Sequence, residues 1–182
     1  MSKPSIADPT RVEMMLLPQK AFLCLGGTLR DQITYPQRLA PAQLSDEIDR
    51  RVIDALCAAG LARLCIGPAR AYAAGINQRF DEWEECLSGG ERQRVGFARL
   101  FYHRPHFACL DEATSAVNPE DEQQLYANLL AMQVTVFSIA HRHTLRKFHA
   151  RELSLRGDGT GAWQIKALGG DVDADAADGG AV

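Results

Sequence analysis

Two short apolar runs, FACL at 107–110 and VTVFSIA at 134–140, constrain this chain more than any other feature. Neither is long enough for a buried helix. The first has no polar alternation, and the second is rich in β-branched residues, which favour strands. Strands of this kind are buried on both faces, as in a parallel sheet. Between them Asn118 precedes Pro119, an N-cap followed by the first helical position. Leu125, Leu129 and Leu130 follow as the expected core face of that helix. Strand, helix, strand requires a crossover, so the two strands are expected to be parallel neighbours. The predicted fold class is α/β with a parallel sheet core.

The remaining elements read outward from that core. Glu13 opens a short apolar run that stops at Pro18, which predicts another buried strand. Thr28 caps a short helical turn beginning at Leu29, after the Gly26-Gly27 turn. Ser45 is the expected N-cap of a helix through Ala59, with Gly60 as its stop. Ile48, Val52, Leu56 and Ala59 form its apolar stripe. Ser88-Gly89-Gly90 opens a further helix on which Val95, Ala98, Phe101 and Tyr102 share a face, and Pro105 ends it. Residues 152–155 and 162–165 flank a glycine-rich turn and predict a hairpin. The expected organisation is an irregular N-terminus at 1–12, a domain over 13–168, and a disordered tail at 169–182, where Ala, Gly and Asp bury too little area to order.

Charge and cysteine usage exclude some classes. The net charge is −3, and four Asp lie in 169–182, so the body carries about +1 (−3 + 4). That gives no basic surface for nucleic acid. The five Cys lack metal-ligand spacing, the nearest pair being Cys57 and Cys65, and an odd count suits free thiols in a reducing compartment. No apolar run approaches the ~20 residues of a membrane-spanning helix.

The candidate chemistry gathers at strand ends. Asp111 and Glu112 close the run at 107–110, and in open parallel sheets the ligand crevice lies at the carboxyl ends of strands. Adjacent residues in extended chain point to opposite sides, so one acid could approach Mg²⁺ while the other orients or deprotonates water. The alternative is a solvated acidic strand end. His141 ends the second run at the same sheet edge and could donate to a phosphate oxygen, or be a satisfied structural histidine. Ser88, Gly89 and Gly90 put backbone N–H groups at a helix start, which favours anions; a flexible N-cap is the plainer reading.

Taken together, four segments carry a resemblance. LSGGERQRVGFARLFYHRP resembles the signature motif and helix of ABC ATPases, and FACLDEATSAVNPE resembles their Walker B strand, catalytic Glu and D-loop. FSIAHRHTL resembles the H-loop, and LLPQKAFLCLGGTLRDQITYP the Q-loop segment. GTLRDQITYP, ARLFYHRP, HRHTLRKFH and the hairpin at Trp163 look most like subfamily D half-transporters, although bacterial relatives with fused membrane and ATPase regions are similar. The resemblance implies a partial ABC-type P-loop NTPase fold with a helical signature subdomain and a C-terminal hairpin. It implies ATP and Mg²⁺ as ligands. Asp111 and Gln19 would hold Mg²⁺, Glu112 would be the general base, and His141 and Gln19 would complete the catalytic set. Ser88, Gly89, Gly90 and Gln93 would bind nucleotide held by a second ABC ATPase domain in a head-to-tail dimer. Residues 115–118 would be the D-loop, with Asn118 where the family usually has Asp. The expected setting is the cytosolic face of a membrane, peroxisomal or of another organelle, with the transmembrane domain encoded upstream or elsewhere.

One motif of that family is missing from these 182 residues: G-x-x-x-x-G-K followed by Ser or Thr, the loop that cradles phosphates. Three charge-assisted hydrogen bonds at ~1.5–3 kcal/mol each total roughly 4.5–9 kcal/mol, at least a thousandfold in affinity. The chain therefore reads as a C-terminal fragment whose solitary ATPase activity is negligible. An alternative is a truncated, non-catalytic module lending its signature loop to an intact partner ATPase. A soluble DNA-repair or translation ATPase is disfavoured by the nearly neutral body and the lack of coiled-coil heptads.

Overall fold

The run at 107–110 becomes the central strand of a three-stranded parallel sheet. In the computed structural model, β1 (Met14–Leu17), β2 (Phe107–Asp111) and β3 (Thr135–Ile139) lie in the order β1-β2-β3. Residues 13–65, 75–79 and 81–168 are described; the stretches 1–12 and 169–182, expected to be irregular, lie outside them. Leu17 pairs with Leu110, and Asp111 with Ile139, so all three strands end at nearly the same level.

Side chains alternate between the two faces of this sheet. Leu17, Ala108 and Leu110 lie on one face and are buried. Helix α5 (Pro119–Ala131) packs there, its Tyr126 hydroxyl donating to Ser138 Oγ at 3.0 Å. Gly96 of α4 (Gly89–His103) faces Leu17 so closely that an added Cβ would stand 3.2 Å from its side chain. The opposite face carries Met14, Leu16, Phe107, Phe137 and Ile139, each about half or more exposed. Burial on both faces was expected; among the described residues the helices cover only one.

Local signals place the helices as the sequence predicts. Thr28 and Asp31 form a reciprocal capping box at α1 (Leu29–Thr34). Ser45 caps α2 (Asp46–Ala58), and Gly60, at φ +69°, closes it, with N–H groups of Gly60 and Leu61 donating to Cys57 and Leu56 carbonyls. Asn118 caps α5 through the Asp121 amide. The core face of α5 differs from expectation in one position: Leu130 is 48% exposed and Tyr126 takes the inward place beside Leu125 and Leu129.

Helices α1 and α2 pack with α4 into a helical layer, and a bidentate Arg30–Asp49 pair (2.8 and 2.9 Å) joins α1 to α2. The short α3 (Trp83–Cys86) buries Trp83, whose indole N–H donates to Gly27 O. Buried Arg99 on α4 donates to the Phe22 and Gln32 carbonyls at 2.7 Å and lies against the Phe22 and Tyr35 rings.

The chain divides into two compact units, Met1–His141 and Arg142–Val182. In the second, β4 (Arg151–Leu155) and β5 (Trp163–Ala167) form the antiparallel hairpin read from the sequence. No helix among the described residues is long and apolar enough to cross a membrane.

Candidate active site at the carboxyl edge of the sheet

The central strand supplies a carboxylate, Glu112, and each of its two parallel neighbours delivers one polar side chain to it. Beyond β2, Glu112 turns into the left-handed region at φ 45°, and its N–H donates to Ile139 O at 2.9 Å. That conformation costs a non-glycine residue about 1–3 kcal/mol and persists where surroundings enforce it. Two residues beyond β1, Gln19 donates from Nε2 to Glu112 Oε2 at 2.6 Å. Two residues beyond β3, His141 Nε2 lies 2.9 Å from Glu112 Oε1. The shared level of the strand ends makes this meeting possible. The Glu112 side chain is 26% exposed and that of His141 87%, so the cluster opens to solvent.

Asp111 is the last residue of β2, half-buried, and its register partner Ile139 places it on the bare face of the sheet. Glu112 follows in a turn, so the adjacent acids occupy different surroundings. Among the described residues no three His, Cys, Asp or Glu side chains gather as a metal cage. The donor set suits Mg²⁺ nonetheless: it is hard, takes one or two carboxylates, and completes its octahedron with water and phosphate oxygens. Asp111 and the amide oxygen of Gln19 are donors of that kind.

The glycine turn lies at the start of α4. Ser88 and Glu91 form a capping box: the Ser88 N–H and hydroxyl donate to Glu91 Oε2 at 3.0 and 2.9 Å, and the Glu91 N–H donates to Ser88 Oγ at 3.3 Å. Arg63 donates to the other Glu91 oxygen. Burial acts to raise the Glu91 pKa, but the Ser88 amide, Arg63 and the Ser88 hydroxyl outweigh it and hold the carboxyl below its ordinary value. Ser88 is exposed and Gly89 and Gly90 half-exposed. A Cβ on Gly90 would stand 2.7 Å from Ala116 O, so this glycine is what lets α4 approach the loop at 115–118.

Gln93, expected with the nucleotide-binding residues, sits apart from that turn's surface. It is 6% exposed, and its carboxamide is committed within the chain. Nε2 donates to Ser115 Oγ (2.9 Å) and Gln19 O (3.2 Å), while Oε1 accepts from Ala116 N–H at 2.8 Å. Gln93 thus ties the segment after β1 to the loop after β2. Its spacing with Phe97 and Leu100, all buried, is a sequence signal for this: a polar residue on the apolar stripe of α4. Arg63 carries no such signal, since its partner Glu91 lies 28 residues away.

The family model described as ABC transporter matches residues 2–115. The mouse lysosomal cobalamin transporter ABCD4 is 40% identical over 156 residues, 85% of this chain and 24% of that protein. Mouse ATP-binding cassette sub-family D member 3 is 36% identical, covering 90% and 23%. Dictyostelium discoideum ABC transporter D family member 2 is 34% identical, covering 93% and 22%. A bacterial Atm1-family ABC exporter solved with ATP bound aligns with a TM-score of 0.58 at 30% identity, over 74% of this chain and 22% of that one. The chain spans about a quarter of the length of these relatives.

Proposed function

The chain belongs to the ABC transporter family, and from that premise we propose that it forms the part of a nucleotide-binding domain that turns ATP hydrolysis on. The observation that supports this reading most is the Glu112 carboxylate, held from both sides by Gln19 and His141 on a left-handed residue at the sheet edge.

Glu112 is the proposed general base, a role commonly worth ~10²–10⁴ in rate. Gln19 and His141 fix its rotamer, so a water seated beside it meets a carboxylate already aimed. His141, largely exposed, also has an imidazole edge free to face a terminal phosphate oxygen. Asp111 and Gln19 would hold Mg²⁺, which supplies charge neutralisation to the phosphates. Ser88, Gly89 and Gly90 present the start of α4 to nucleotide carried by a second ATPase domain, arranged head to tail. Gln93 serves by position, coupling the Gln19 segment to the loop at 115–118 that would face the same neighbour. The whole assembly would move a solute across a membrane, as the name of the lysosomal cobalamin transporter says of that relative; cargo and membrane follow from segments outside this chain.

The test is to join the chain to a strand, phosphate loop and helix of the G-x-x-x-x-G-K form and measure Mg²⁺-dependent ATP hydrolysis. Turnover should appear on joining and fall ~10²–10⁴-fold in Glu112→Gln. Turnover indifferent to Glu112 would overturn the reading. The chain alone, lacking that loop, should show negligible turnover.

A second reading, a module that lends its signature turn to an intact partner, is favoured by one observation: the Ser88 cap and glycine turn are fully formed within this chain. Mixing the chain with an ATPase domain that carries a phosphate loop separates the two. Stimulation lost in Ser88→Arg but retained in Glu112→Gln supports lending; no stimulation at saturating chain removes it.

A further inference from the structure

The start of α4 is built over a buried negative charge. Ser88 N–H and hydroxyl both donate to Glu91 Oε2, at 3.0 and 2.9 Å, so the single hydroxyl proton of Ser88 points back into the chain. The Glu91 side chain is 8% exposed. A buried carboxylate is screened less than one in water and repels an anion that approaches the surface above it. Uncompensated, Glu91 would work against the turn that it caps.

Arg63 brings the opposite charge from a different element. The short 3-10 turn Ala62–Leu64 follows α2, where Gly60, at φ +69°, turns the chain and Leu61 N–H donates to Leu56 O at 2.8 Å. From that turn the Arg63 guanidinium donates to Glu91 Oε1, the other carboxylate oxygen. Leu61 and Leu64 are fully buried, so the backbone that carries Arg63 is anchored while its side chain stays 56% exposed. One carboxylate is thus divided between two partners, one oxygen to Ser88 and one to Arg63.

We propose that Arg63 is a positioning residue for the Ser88-Gly89-Gly90 turn: it neutralises Glu91 and fixes the carboxylate that aims Ser88. The proposal rests on the reading of that turn as a surface for nucleotide phosphate. Arg63 touches no nucleotide in this scheme and acts through Glu91. Burial raises the Glu91 carboxyl, but the Ser88 amide, Arg63 and the Ser88 hydroxyl bring it below its ordinary value, so it is ionised at neutral pH. Without Arg63 the Ser88 donors still have their acceptor, and a bare negative charge lies beneath the incoming phosphate. Phosphate affinity is therefore the property that Arg63 sets. A lysine at 63 would keep the charge, and a glutamine at 91 would keep an oxygen for Ser88 while removing the charge that needs offsetting.

Two measurements test this. In the chain joined to a phosphate loop, Arg63→Met should raise the KM for ATP roughly tenfold, the effect of one partly screened unit charge, and lower kcat by less than about threefold. Adding Glu91→Gln should bring KM back, and Arg63→Lys should stay near the native value. In the full chain by itself, hydrogen exchange should quicken roughly tenfold at the Ser88 and Glu91 amides of Arg63→Met and stay unchanged at Phe97 and Leu100. A native KM in Arg63→Met overturns the proposal, and so does a raised KM that Glu91→Gln fails to restore. Faster exchange throughout α4 overturns it as well, since Arg63 would then hold the helix and not the turn. Turnover that ignores Glu112 removes the hydrolytic reading instead, and the exchange map still decides whether Arg63 holds the turn.

Discussion

Glycines 89 and 90 are adjacent in sequence and unequal in the structure. An added Cβ at Gly89 meets Ala116 Cβ at 3.5 Å, ordinary contact, whereas at Gly90 it meets the Ala116 carbonyl oxygen at 2.7 Å. Backbone cannot swing aside as a side chain does. Gly89→Ala should therefore be neutral or stabilise α4 by roughly 0.5–1 kcal/mol. Gly90→Ala should destabilise by about 1–3 kcal/mol through forced backbone movement. Urea unfolding of the two variants measures the difference, and Ala116→Gly should fail to rescue Gly90→Ala because the clash is with main chain. Both glycines were legible as a helix start, but their different duties were not: the close approach joins residues 26 apart. Asn118 shows the opposite case. Asn118 ahead of Pro119 is a capping signal visible in sequence, and it serves as the cap because its Oδ1 accepts from Asp121 N–H at 2.8 Å.

Among the elements, α4 does most to position the site, and its C-terminal end carries a titratable strut. His103 Nε2 lies 3.0 and 2.9 Å from the Thr34 and Tyr35 carbonyls, both acceptors, so that nitrogen bears the proton and donates. Burial lowers its pKa below the ordinary 6.5; the two carbonyls work against this, and the charges of Arg51 and Arg99 add to the lowering. Between the depressed native value and 6.5 the unfolded chain binds a proton that the native chain refuses. His103 therefore leaves stability intact above about pH 6.5 and removes it as pH falls below, with a limiting slope of ~1.4 kcal/mol per pH unit. His103→Gln, which keeps an N–H donor, should flatten the loss of stability as pH falls below ~6.5 in urea titrations; an unchanged slope would assign that loss to other groups. The caps of α1, α2 and α5 were legible because each signal lies within four residues of the end it marks. The contacts that Arg99 and Gln93 make were not, since their partners lie 22 to 77 residues away and pair only once the layers have packed.

At the scale of the molecule, the parallel sheet was readable from two apolar runs, and the burial of its second face was misread from the same runs. An apolar strand records that both faces avoid water somewhere; it does not record which segment covers them. Here Met14 (68% exposed), Leu16 (60%), Phe107 (54%), Phe137 (55%) and Ile139 (49%) share one uncovered face. Among the described residues β1 and β3 are also the two edges of the sheet, and edge strands promote edge-to-edge pairing. A contiguous apolar face of this kind drives association in water, each large side chain contributing up to ~1.5–3 kcal/mol when fully buried. The chain alone should therefore self-associate at micromolar concentration. Phe107→Lys with Phe137→Lys should lower the weight-average mass in sedimentation and reduce binding of a hydrophobic dye. The fold should survive, because the side chains that hold α5 and α4 against the sheet, Leu17, Ala108 and Leu110, lie on the other face. A native chain that sediments as a monomer across that range would show that this face is too small or too broken by Asp111 and Thr135 to act as one surface.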